Sequence, residues 1–117
     1  MKFLSLCTLK DSFSMLPPAT GRQLLELTLS WSDQQRKDGK ILELYAMPGA
    51  KTTMAICEHP SAEDLNQTLI TMPLYGFMDF EIYPLSDIGH SMKASIESMK
   101  AAERMMPAGA REPAGVR

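Results

Sequence analysis

The chain has 117 residues, 44% of them hydrophobic, and a formal net charge of −2. This length fits one domain that buries a core of its own. The charged residues are scattered, with no basic stripe of the kind that binds nucleic acid. No apolar run approaches the ~20 residues that span a bilayer. We therefore expect neither nucleic acid nor a membrane as a partner.

The first part of the chain predicts a strand followed by a helix. Residues 2–9 (KFLSLCTL) have the composition of a strand. A long helix is predicted over 19–37, because Leu24, Leu27 and Trp31 recur at helical spacing on one face. Leucines between these positions widen the apolar face. The pattern therefore predicts that this side of the helix packs on the core.

A hairpin and a second helix are predicted next. Two strands, 40–47 and 50–58, flank Pro48-Gly49, a dipeptide suited to the centre of a type II turn. The segment Ser61-Ala62-Glu63-Asp64 then resembles a capping box and begins a helix that Pro73 ends.

The last elements are a strand and an amphipathic helix. Residues 78–83 alternate between apolar and polar side chains, and a helix is predicted from Asp87 to Met105. The order β-α-β-β-α-β is that of the ferredoxin-like α+β fold, with one antiparallel sheet and both main helices on one of its faces. We predict a domain over 1–86, a C-terminal amphipathic helix over 87–106 and a disordered tail over 107–117.

The uncovered face of this sheet is predicted to be partly apolar. Strand alternation directs Met78, Phe80 and Ile82 to the helices and the residues between them away from the helices. On the second strand, the set predicted for the uncovered face is Ile41, Glu43, Tyr45 and Met47. A monomer seldom leaves such a surface in water. We therefore expect a second copy to pack there, sheet against sheet, and to enclose a small-molecule cleft.

The histidines and cysteines give no sign of a metal site. His59 and His90 are expected at the surface, and their spacing from Cys7 and Cys57 does not fit a metal centre. We expect buried, inert thiols, with a peroxidatic pair as the alternative because their strands adjoin. The short N-terminal apolar run does not fit an export signal, so a cytoplasmic location is expected.

The segment MPLYGFMDFE, residues 72–81, resembles the muconolactone isomerase family, together with Pro60-Ser61, Leu65 and Thr68-Leu69 before it. Weaker support comes from the N-terminal strand and from Gly39 and Gly49, the glycines around the hairpin. With about one gap, the resemblance covers roughly residues 1–85. It implies a dimeric α+β barrel, a homodimer or higher homo-oligomer, and proton transfer on a small lactone or cyclic acid without a cofactor.

Such chemistry needs a general base in a dry pocket. The candidate bases are Glu26 and Glu43, and Tyr45 is the candidate to stabilise an enolate. The candidate substrate-binding residues are Tyr83, Thr53 and Glu81. The second strand departs from the family pattern, in which basic and aromatic residues could receive a substrate carboxylate, since it has no arginine and only Tyr45 is aromatic. We therefore expect a different substrate. The alternatives are a cofactor-free monooxygenase of the same barrel type and a non-catalytic binding or oligomeric protein.

Overall fold

The computed structural model describes residues 1–106. Its strands and helices follow in the order β1 (Lys2–Leu9), α1 (Pro18–Lys37), β2 (Ile41–Met47), β3 (Thr52–Glu58), α2 (Ala62–Leu69), β4 (Met78–Leu85) and α3 (Ile88–Arg104). Short 3-10 helices at Asp11–Met15 and Tyr75–Phe77 precede α1 and β4. The predicted order of strands and helices is confirmed.

The four strands form one antiparallel sheet in the order β2-β3-β1-β4. β1 lies at the centre between β3 and β4, and β2 and β4 are the edge strands. This is the strand order of the ferredoxin-like fold, in which each strand-helix-strand half contributes one central and one edge strand. The predicted fold class is confirmed.

The core lies between one face of the sheet and the helices α1 and α2. Phe3, Ala55 and Cys57 from the strands pack with Leu65 and Leu69 of α2, all with exposed fractions below a tenth. Leu24 and Trp31 of α1 pack against this cluster. We call this face of the sheet the covered face, and the opposite one the open face.

Two glycines adopt positive φ, one at each end of β2. Gly39 has φ +74° after the end of α1, and Gly49 has φ +78° in the turn between β2 and β3. Positive φ is costly for residues with a Cβ, and glycine removes that cost. The N–H of Ala50 donates to the carbonyl of Met47 at 3.2 Å, which closes the turn.

A β-bulge near the start of β2 changes which side chains face the core. Ile41 lies opposite Cys57 and Glu43 lies opposite Ile56, so Leu42 is an extra residue on the edge strand. As a result, Ile41 and Leu44 both point to the covered face, and Ile41 is 8% exposed. The prediction that Ile41 lies on the open face is wrong, because simple alternation does not hold across a bulge.

The residues divide into two compact units, Met1–Leu85 and the residues from Ser86 onward. In the second unit, the carboxylate of Asp87 accepts a hydrogen bond from the N–H of His90 at 2.8 Å and caps α3. The predicted disordered tail, 107–117, lies outside the described residues. Across residues 1–106, no helix is both long and apolar enough to cross a membrane.

Candidate functional site

A cavity of about 220 Å³ lies inside the first unit, between the covered face and the helices α1 and α2. Its apolar walls come from the strands, both helices and the segment after α2, and include Trp31, Ile41, Leu44, Leu65, Leu69 and Met72. Leu29, which is 64% exposed, also lines it and marks the rim at the surface. Drug-sized ligands occupy pockets of ~300–1,000 Å³, so this cavity suits a smaller molecule.

Helix α1 turns polar side chains into this cavity. Thr28 and Gln35 line it together with Trp31. The Thr28 Oγ1 and Gln35 Oε1 atoms are buried and have no hydrogen-bond partner. Buried polar atoms in proteins almost always have a partner, so two such atoms at one cavity call for an explanation.

The apolar face predicted for α1 is therefore only partly correct. Leu24 and Trp31 pack on the core, but Leu27 is 54% exposed and Leu25 is 48% exposed. The inward stripe instead continues through Thr28 and Gln35. Leucine spacing alone could not distinguish the two faces, because leucines occur around most of this helix.

His59 lies at the end of β3 and lines the same cavity. Its side chain is 1% exposed, and its Nδ1 is 2.7 Å from Oδ2 of Asp64. The expectation that His59 lies at the surface is wrong. With Nδ1–H donating to the carboxylate, Nε2 is the basic nitrogen of the ring.

The helix α2 holds Asp64 in place for this contact. The Ser61 Oγ accepts a hydrogen bond from the N–H of Asp64 at 3.1 Å, which is the first half of the predicted capping box. The Asp64 carboxylate then reaches His59 instead of the N-terminus of its own helix. The same sequence feature therefore begins α2 and orients the imidazole.

The two cysteines contribute buried, protonated thiols to the covered face. Burial raises the pKa of Cys57 to about 11, with a smaller contribution from Cys7. Burial also raises the pKa of Cys7, against a hydrogen bond from Ser5 that lowers it. Cys57 lies opposite Phe3 and Cys7 opposite Thr53, so the cysteines are four residues apart along the sheet, or ~13 Å. A disulfide, which needs Cα atoms within ~7 Å, does not fit this register.

The open face carries most of the residues predicted for the site, in two separate groups. Glu43 and Tyr45 lie on the edge strand β2, and Glu81 and Tyr83 lie on the opposite edge strand β4. Three strand spacings, ~14 Å, separate the two edges. Leu4, Leu6, Met54 and Ile56 fill the middle of this face. Within one protomer the two groups do not meet.

The β4 pair is internally hydrogen bonded. The Tyr83 hydroxyl donates to Oε2 of Glu81 at 2.7 Å. This bond and the carboxylate charge raise the pKa of the exposed phenol. The pair is thus a hydrogen-bonded polar edge beside the apolar centre of the open face.

The two remaining predicted residues lie elsewhere. Thr53 lines the cavity on the covered face, with its neighbours Ala55 and Cys57. Glu26 projects from α1, where its side chain is 60% exposed and pairs with Arg22 at 2.9 Å. Over residues 1–106, no cluster of three or more His, Cys, Asp or Glu side chains could hold a metal ion.

Sequence reasoning missed His59, Asp64, Thr28 and Gln35. A signal for the first two was present, since a histidine that ends a strand stood five residues before an aspartate at the third position of a helix. For the other two, the spacing of seven residues places both on one face of α1. Nothing in the sequence pattern marked that face as inward.

Comparisons with known proteins agree with this architecture. Residues 1–92 match the family described as muconolactone delta-isomerase. The chain is 27% identical over 78 residues to a muconolactone delta-isomerase of Rhodococcus opacus, covering 67% of this chain and 84% of the relative. A crystal structure of muconolactone isomerase superposes with a TM-score of 0.65 at 27% identity, covering 74% of this chain and 90% of that one.

Proposed function

The chain belongs to the muconolactone delta-isomerase family, and we propose that it is an isomerase that moves a carbon–carbon double bond in a small lactone or related cyclic compound by proton transfer, without a cofactor. The observation that carries this proposal is the buried His59 at the wall of a small, largely apolar cavity, paired with the partly exposed carboxylate of Asp64. Such a cavity provides what proton abstraction from carbon needs, which is a fixed base away from bulk water.

In the proposed reaction, Nε2 of His59 takes a proton from a carbon next to the conjugated lactone system. The electron pair of the broken C–H bond moves toward the carbonyl oxygen and forms a dienolate. The imidazolium then returns the proton to a different carbon, so that the double bond has moved and no electrons are gained or lost. Asp64 stabilises the imidazolium, as a carboxylate does for histidine bases in general.

The dienolate oxygen needs a hydrogen-bond donor in the cavity. The Thr28 hydroxyl is the candidate for this role, because the residue lines the cavity and its Oγ1 is buried without a partner. Proton transfer by a positioned side chain contributes about 100-fold to 10,000-fold to a rate, which sets the expected size of the effect of removing the base.

The open face offers a second location for the base. If two copies pack sheet against sheet, Glu43 and Tyr45 of one edge and the Glu81–Tyr83 pair of the other become enclosed. The support for such pairing is the run of half-buried apolar residues between them, together with Tyr45 at 54% and Tyr83 at 47% exposed. Glu26 is a weaker candidate, because its ion pair with Arg22 lies in solvent.

A comparison of four enzymes tests these assignments. The wild type and the variants His59→Gln, Glu43→Gln and Glu26→Gln are incubated in D2O with muconolactone and with α-angelica lactone, and deuterium uptake and isomerisation are followed by NMR. We expect a loss of at least about 100-fold in His59→Gln and little change in the two glutamate variants.

Circular dichroism on each variant separates a chemical loss from unfolding. If folded His59→Gln retained the wild-type rate while Glu43→Gln lost it, the base would belong to the open face. If the wild type bound lactones and exchanged no proton, the isomerase proposal would be wrong and a binding role would replace it.

A further inference from the structure

We propose that the cavity selects an uncharged cyclic ligand that donates a hydrogen bond to Gln35 and contacts Thr28, such as a hydroxylated lactone, and that it disfavours a ligand with a free carboxylate. This inference names the substrate class of the site above, and the choice of lactone probes rests on the proposed function. It goes beyond the family relation, since muconolactone itself carries a carboxylate.

The charge of the cavity wall is the first observation. Within residues 1–106, no lysine or arginine lines the cavity. Its one imidazole is already paired with the carboxylate of Asp64 at 2.7 Å, so the pair brings no net positive charge when the ring is protonated. A carboxylate that entered would lose its hydration without gaining a cation, and the free energy of that transfer is strongly unfavourable.

The unpartnered atoms of α1 are the second observation. Gln35 Oε1 can only accept a hydrogen bond, whereas the Thr28 hydroxyl can donate or accept. A ligand hydroxyl group can donate to Gln35 Oε1, and a ligand carbonyl group can accept from the Thr28 hydroxyl. Because an unsatisfied buried polar atom costs free energy, filling both adds to the affinity for such a ligand and not for a plain hydrocarbon ring.

The chain has a built-in reporter for binding. Trp31 is its single tryptophan and lines the cavity, and its Nε1–H donates to Oγ1 of Thr71 at 2.9 Å. A ligand that enters changes the surroundings of this indole, so its fluorescence reports occupancy without any turnover.

The charge preference is tested with muconolactone and its carboxamide, which has nearly the same shape and no charge. We expect the carboxamide to bind at least about tenfold more tightly in titrations of Trp31 fluorescence. Equal binding of the two compounds, or tighter binding of the acid, would overturn the inference. So would the absence of a fluorescence change with every uncharged lactone.

The hydrogen-bond preference is tested with α-hydroxy-γ-butyrolactone and γ-butyrolactone. The wild type should prefer the hydroxylated compound by roughly fivefold, and Gln35→Leu should remove that preference. Gln23→Leu, on the exposed side of the same helix, is the matched control and should retain it. A preference that survives Gln35→Leu would show that the hydroxyl binds elsewhere.

These outcomes separate the two proposals. Selective binding of the carboxamide without any proton exchange would contradict the isomerase and support the ligand class. Turnover of muconolactone, together with tighter binding of the acid, would contradict the ligand class and leave the isomerase standing.

Discussion

The two faces of the sheet differ in how their polar groups are satisfied. Above the covered face, Thr28 Oγ1 and Gln35 Oε1 of α1 are buried without a partner, and both residues line the cavity. On the open face, the Tyr83 hydroxyl has a partner in Glu81 within the same strand. Buried polar atoms without a hydrogen-bond partner indicate a site where a ligand could supply the partner. Polar side chains that bond to each other beside an apolar centre are typical of the rim of a protein interface. This difference is the basis for proposing ligand binding at the covered face and self-association at the open face.

The largest expected effect on stability comes from shortening a core side chain on the covered face. Phe3→Ala removes a ring that is 3% exposed in the core, and we expect the free energy of unfolding to fall by about 3–5 kcal/mol. Urea denaturation at several protein concentrations measures it, and the loss should not depend on concentration. Leu27→Ala, at an exposed position of α1, should change stability by no more than ~0.5 kcal/mol. Equal losses in both variants would contradict the packing described for α1.

A smaller effect, visible in association rather than folding, is expected from the open face. Ile56→Glu places a carboxylate between Glu43 and Leu4 in the middle of that face. If two sheets pack together, the dissociation constant should rise by at least about tenfold, because a carboxylate buried without a partner is costly. Sedimentation velocity over a concentration series measures it.

The matched control is Ile70→Glu, at a residue that is 52% exposed after α2 and away from the open face. It should associate like the wild type. A wild type that stays monomeric at every concentration would contradict sheet pairing, and with it any cleft between two sheets.

The smallest effect concerns two raised pKa values with different causes. The pKa of Tyr83 is raised by its hydrogen bond to Glu81 and by the charge of that carboxylate, both in solvent. Glu81→Gln should return it toward the ordinary value of 10.0. High salt should have a weaker effect in the same direction, because exposed charges are screened. Tyrosinate absorbance, compared with Tyr83→Phe, measures the shift.

Cys57 provides the contrast, because burial raises its pKa to about 11 and salt should leave that value nearly unchanged. Between its ordinary value of 9.0 and about 11, the unfolded thiol loses its proton while the folded one keeps it. Its contribution to stability is therefore fully present below pH 9 and lost as the pH rises through 11. Thiolate absorbance that titrates at the ordinary value in the folded protein would contradict burial as the cause.

Much of the fold was predictable from the sequence, because its signals were local. The strand at residues 2–9, the glycine after α1 and the capping serine of α2 each depend on neighbouring residues alone. The family was predictable from the segment at 72–81, and that prediction is confirmed.

The cavity was not predictable, because it depends on contacts between distant segments. His59 was expected at the surface, because the sequence does not show that Asp64 of α2 lies 2.7 Å from its ring. The sequence did not mark Gln35 as a cavity residue, because its position there depends on how α1 packs on the sheet. The roles predicted for Glu26, Glu43 and Tyr45 stay predictions, and the variants described above test them.

The extra residue in β2 determines which of its side chains reach the core and which lie on the opposite side of the sheet. Before the bulge, odd-numbered positions such as Ile41 face the helices, and after it, even-numbered positions such as Leu44 do so. Strict alternation applied through this strand without the extra residue would therefore assign a residue of the covered face to the open face, or the reverse. Variants designed for this strand should therefore follow the observed register, in which the alternation shifts by one position at Leu42.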